Sequence, residues 1–139
     1  KEIENAIGIP LLHIADATAE RVGQRGVKKI GLLGTRFTME HEFYRGRLEQ
    51  QGLEVIVPNE ADRNIVHRVI YDELCQGVID DRSRSEFVRI MEDLHRSGAE
   101  GVIEGCTEIA MLVAPEHVDV PLFDTTAIHA EEAVAEALR

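Results

Sequence analysis

Two kinds of apolar pattern alternate along this chain. Short, nearly continuous apolar runs are separated by longer stretches in which apolar residues recur three and four apart, the spacing of a helix with one buried face. Val27-Lys28-Lys29-Ile30-Gly31-Leu32-Leu33 predicts a strand ending in the turn Gly34-Thr35. Residues 39–51 predict a helix with Phe43, Gly46 and Leu48 inward and Gly52 as its stop. Residues 53–57 predict a second strand. Pro58-Asn59 opens a long helix with Ile65, Val66, Val69, Ile70 and Leu74 at helical spacing, ending at Gly77. Ser83-Arg84-Ser85-Glu86 matches a capping box and opens a helix that buries Phe87, Ile90, Met91 and Leu94 and stops at Gly98. Residues 101–103 predict a strand, 107–113 a short helix, Pro115 a break and 118–123 a last strand. Residues 127–138 close the chain as an amphipathic helix with an apolar stripe at Ala127, Ala130, Val134 and Leu138.

Strands alternating with helices predict an α/β fold, a doubly wound parallel sheet with helices on both faces. One internal similarity adds to this. Ile9-Pro10-Leu11-Leu12-His13, followed by Ala15, Ala17 and Ala19, echoes Val120-Pro121-Leu122-Phe123-Asp124 and its own Ala-rich helix. The repeat predicts a duplicated, two-lobe protein. Residues 1–23 would be the terminal strand and helix of a first lobe, and residues 24–139 a second α/β lobe with its closing helix. Lys1 in place of Met fits a fragment or a processed product. Without the first lobe the apolar faces of the two end segments have no cover, which predicts self-association or exchange of elements between copies.

Composition narrows the partners. The chain has 139 residues, about one domain, with 15 Lys and Arg against 26 Asp and Glu, a formal net charge of −11. No basic stripe interrupts that acidity, so nucleic acid is not an expected partner. No apolar run approaches the roughly 20 residues that span a bilayer, and no signal-peptide pattern opens the chain. Two cysteines, Cys75 and Cys106, are too few for a disulfide framework, which predicts a reducing, cytoplasmic setting.

The densest chemistry lies in Gly101-Val102-Ile103-Glu104-Gly105-Cys106-Thr107-Glu108-Ile109, where an apolar strand turns into a helix. Such folds place ligands at the carboxyl ends of their strands. A helix beginning there would offer free N–H groups and a positive dipole end, favouring a thiolate and holding a carboxylate. Position alone leaves Cys106 open between that role and a small buried hydrophobe. Other candidates are weaker. His41-Glu42 lacks the second His of a zinc-protease motif. His67, His95 and His117 have no metal-ligand spacing, and Gly31-Leu32-Leu33-Gly34 is no dinucleotide fingerprint. Thr35 and Thr38 read as turn and cap residues, Arg36, Arg45 and Arg47 as a solvated face, and His129 as a residue that caps or lines the last helix.

Three separated motifs in order resemble the aspartate/glutamate racemase family: Gly34-Thr35-Arg36-Phe37-Thr38-Met39-Glu40, Gly105-Cys106-Thr107-Glu108-Ile109, and Phe123-Asp124-Thr125-Thr126-Ala127-Ile128-His129-Ala130. The resemblance implies one lobe of a two-lobe, pseudo-symmetric racemase fold with the active site between lobes. It implies a small amino-acid substrate and neither pyridoxal phosphate nor a metal. Cys106 would be the acid/base of the second lobe, with Thr35, Thr38, Thr107 and Glu108 at the substrate. The first-lobe motif has no counterpart here, so the partner implied is that lobe or another copy of the chain, in a homo-oligomer. The same fold and cysteine also serve arylmalonate decarboxylases and maleate isomerases, and a non-catalytic ligand-binding domain is the alternative from another class. Inversion at an α-carbon needs a base on one face and an acid on the other, and a thiol/thiolate pair can serve in both roles. The helix start and Thr107 would lower the Cys106 pKa, while Glu108 would oppose a thiolate unless it held the substrate ammonium. Cys75, expected inside the 59–77 helix as a packing residue, would be alkylated well after Cys106.

Overall fold

A computed structural model describes Ile3, Ala6 and residues 12–139. Its core is a four-stranded parallel sheet made of β1 (Lys29–Leu33), β2 (Glu54–Ile56), β3 (Val102–Glu104) and β4 (Leu122–Asp124), in the order β2-β1-β3-β4. The helices are α1 (Ile14–Gln24), α2 (Arg36–Glu40), α3 (Glu42–Gln50), α4 (Glu60–Asp72), α5 (Asp81–Arg96), α6 (Ile109–Leu112) and α7 (Thr125–Ala137). One face of the sheet is covered by α4, α5 and α6 through Val66, Val69, Ile70, Phe87, Ile90, Met91, Ile109 and Leu112. The other is covered by α1, α3 and α7 through Ala15, Ala17, Val22, Tyr44, Leu48 and Ile128. Helices therefore lie on both faces, as the alternation of patterns requires. Among the described residues no helix is long and apolar enough to cross a membrane.

The predicted stops at Gly52, Gly77 and Gly98 all have positive φ, at 92°, 77° and 108°. That left-handed conformation is open to glycine without a Cβ clash. Other expectations change. The helix predicted over 39–51 is two helices, broken at His41, whose ψ of 148° is extended. The break turns Phe43 out to 65% exposure and buries Tyr44 in its place. The long helix predicted to Gly77 ends at Asp72, and a 3-10 turn over Leu74–Gln76 leaves Cys75 exposed. The capping box at 83–86 does not form. Asp80 caps α5 by accepting from the Arg82 N–H, and Ser83, inside the helix, donates to Glu73 Oε1 at 2.6 Å. A local acid one turn earlier has taken the cap. The last strand is only Leu122–Asp124, because the chain bends at residues 119–120 ahead of it.

Of the strand expected at the start, residues 9–11 lie outside the described residues. His13 Nδ1 accepts from the Ala15 N–H and caps α1. That helix packs on α3 and α7: Arg47 pairs with Asp16 at 2.8 Å and Arg21 with Glu131 at 2.8 Å. His129 Nε2 lies 3.1 Å from the Leu12 carbonyl, so the middle of the last motif ties α7 to the entry of α1. The stripe Ala127, Ala130, Val134 and Leu138 lies on the exposed side of α7, with Leu138 82% exposed.

Candidate active site

β1 and β3 are adjacent, yet the chain leaves β1 toward β2 on one side and β3 toward β4 on the other. This is the point where the winding reverses, and the crevice it opens at the carboxyl ends of the strands is where doubly wound sheets bind ligands. The turns that meet there are Gly34-Thr35 and Gly105-Cys106.

The two turns are built against each other. The Gly105 N–H donates to the Leu33 carbonyl at 2.7 Å. A Cβ on Gly105 would stand 2.7 Å from that oxygen and 3.3 Å from Thr38 Cγ2, and a Cβ on Gly34 would stand 2.9 Å from the Thr38 side chain. Only glycine fits either turn, and Thr38 is the wedge between them. Thr35 caps α2, its Oγ1 accepting from the Thr38 N–H at 3.4 Å, and the two hydroxyls lie 3.3 Å apart. A second brace comes from α4, where His67 Nδ1 accepts from the Arg36 N–H at 2.9 Å.

Cys106 is half-buried, and its thiol donates to Glu108 Oε2 at 2.7 Å. Burial and then this carboxylate push the thiol up to about 12. The expected thiolate is thus corrected. Helix α6 starts only at Ile109 and has four residues, so Cys106 stands outside its first turn with little dipole to draw on. Glu108 moves the opposite way. The hydrogen bonds from Cys106 and Thr107 hold its carboxyl below the usual range. The pair is a neutral thiol on a carboxylate. Thr107 itself is exposed.

Cys75 and Cys106 both carry free thiols, Cys75 exposed and Cys106 half-buried. The arginines do not gather at the site: Arg45 pairs with Glu49, Arg47 with Asp16, and Arg36 binds Asn64. The groove lined by Arg21, Arg25, Leu122, Asp124 and Glu131 lies between α1 and α7 and includes no residue of the Cys106 turn. Among the described residues no three His, Cys, Asp or Glu are grouped to hold a metal. One polar residue escaped the sequence reading. Glu104, at the end of β3, is 3% exposed. Its only signal was a carboxylate in an otherwise apolar strand.

A sequence profile for Asp/Glu/hydantoin racemases matches residues 1–133. The chain belongs to that family. A crystal structure of an Asp/Glu-racemase-type protein from Yersinia pestis is 56% identical, superposes with a TM-score of 0.95 and aligns with 99% of this chain and 60% of its own. An aspartate racemase homologue from Pyrococcus horikoshii OT3 is 37% identical, with a TM-score of 0.92 over 99% of this chain and 61% of its own. The broad-specificity amino-acid racemase RacX of Bacillus subtilis (strain 168) is 23% identical over 138 residues, 97% of this chain and 58% of that protein. This member of the family thus spans about three-fifths of these three relatives.

Proposed function

We propose that this chain supplies one half of a cofactor-independent racemase for aspartate or glutamate, with Cys106 as the acid/base on one face of the substrate α-carbon. The observation that carries the reading is the Cys106–Glu108 pair at the reversal point of the sheet, beside Thr35 and Thr38. Membership of the racemase family supports it.

In the resting pair Cys106 is a proton donor. The substrate ammonium draws the Glu108 carboxylate to itself and weakens its hold on the thiol proton, lowering the barrier to a thiolate once substrate is bound. Thr35, Thr38 and Thr107 offer hydroxyls to the substrate carboxylates. In one direction the Cys106 thiolate takes the α-proton while an acid on the opposite face delivers another. In the reverse direction the Cys106 thiol delivers. The opposite group comes from a first lobe. A reducing, cytoplasmic compartment suits a mechanism that rests on a free thiol.

The test is L-aspartate in D2O, followed by loss of the α-proton signal and by appearance of the D-isomer. Joined to a first lobe that carries the second base, the chain should do both without pyridoxal phosphate or metal. Cys106→Ser should abolish racemisation while α-proton exchange survives in one stereochemical direction. The chain alone should self-associate in light scattering and leave L-aspartate unracemised. A monomer that interconverts the isomers would overturn the two-lobe reading, and activity lost to a chelator and restored by zinc would overturn the cofactor-free one.

A further inference from the structure

Glu104 takes no part in the reaction proposed above, yet its placement is costly. It is the last residue of β3, two before Cys106, and its side chain is 3% exposed with no hydrogen-bond partner for Oε2. Its register partner on β4 is Asp124, and its register neighbour on β1 is the apolar Leu33. Asp124 is fixed in place, because its Oδ1 accepts from the Thr126 and Ala127 N–H groups and caps α7. From α7 the Thr125 hydroxyl donates to the Glu104 main-chain carbonyl at 3.1 Å, leaving the carboxyl untouched. On its own segment the next acid is Glu108, engaged with the Cys106 thiol. The charge that bears on Glu104 is therefore that of another carboxylate.

An ionised carboxylate buried without a cation or a full set of donors is strongly unfavourable, and a like charge on the neighbouring strand adds to the cost. We propose that Glu104 is a positioning residue carried as the neutral acid, and that loss of its proton drives the ends of β3 and β4 apart and loosens the turn that holds Cys106. Burial first, and Asp124 second, push its carboxyl up to about 7 from an ordinary 4.5. The folded chain thus holds this proton more tightly than the unfolded one. Stability from this group is complete below about pH 4.5, falls as the pH rises to about 7, and is level above that. The bearing on catalysis rests on the role proposed for Cys106. The test does not, because it reads stability and thiol access.

Glu104→Gln keeps the size of the side chain and cannot ionise. The experiment compares thermal unfolding of the 139-residue chain and of this variant from about pH 4 to about pH 8.5. In parallel, in a Cys75→Ser background, it follows the reaction of Cys106 with 4,4′-dithiodipyridine. The wild type should lose several degrees of Tm relative to the variant between about pH 4.5 and about pH 7, then run parallel to it. The ratio of Cys106 rates, wild type over variant, should rise across the same interval. A Tm difference that does not change with pH, or a rate ratio with no step, overturns the proposal. Should Glu104→Gln fail to fold, Asp124→Asn keeps the cap and removes the neighbouring charge. It must then move the wild-type transition to lower pH, and an unmoved transition overturns the proposal equally.

Discussion

The turns after β1 and β3 lie side by side and do opposite things with their hydrogen bonds. After β1, the side chains brace the turn: Thr35 caps α2, Thr38 fills the space over both glycines, and His67 holds the Arg36 N–H. After β3, the side-chain bond is local and reactive, a thiol on a carboxylate two residues away. The first turn is fixed by what surrounds it. The second keeps a movable proton. A crevice made from one of each can hold a substrate still while its proton is exchanged, which is the division of labour that acid–base chemistry at carbon needs.

The largest expected effect separates the two turns by kinetics. In a two-lobe protein carrying this chain, Cys106→Ala should lower kcat by about 10²–10⁴-fold, the span that one positioned acid/base group contributes. Thr38→Ala should act chiefly on KM, since its hydroxyl would bind the substrate equally in ground and transition states. Steady-state racemisation assays on both variants decide it. Equal losses of kcat would mean that the β1 turn handles protons too.

Next in size is the reactivity of the thiols. With Cys106 half-buried and pushed up to about 12 while Cys75 is exposed, iodoacetamide near neutral pH should label Cys75 first. That reverses the order expected from the sequence. Glu108→Gln removes the charge that opposes the thiolate, and Cys106 labelling should then quicken by about tenfold or more at constant pH. Peptide mapping over a time course reads both rates. If Cys106 in the unmodified chain is labelled first, the thiol–carboxylate pair is not the resting state.

How far the sequence reached follows the same line. The parallel sheet, both helical faces and the stops at Gly52, Gly77 and Gly98 were legible because periodicity and left-handed glycines are local signals. Cys106, Thr35 and Thr38 could be picked out by motif, and the structure brings their turns together. The charge state of Cys106 was not legible. It depends on where α6 begins and on a carboxylate rotamer, and neither leaves a mark in residue order. The Cys75 and Phe43 expectations missed for a related reason. A helix that breaks at His41, or gives way to a 3-10 turn at Leu74, rotates every later residue off the face that a continuous helix would assign.

The smallest effect tests how rigid the β1 turn is. Thr35→Ala removes the cap of α2 and its contact with the Thr38 hydroxyl, and loss of such a cap typically costs about 1 kcal/mol. Denaturant unfolding should show a lower midpoint with an unchanged slope, a loss of unfolding free energy of that size, since the surface exposed on unfolding stays the same. Thr35→Ser, which keeps the accepting oxygen, should restore most of the loss. The corresponding change across the crevice, Thr107→Ala, should change the unfolding free energy by no more than about 0.5 kcal/mol, because Thr107 is exposed and caps nothing. If the two alanine variants cost the same, the β1 turn is no more braced than its neighbour, and the contrast between a fixed turn and a proton-carrying turn loses its physical basis.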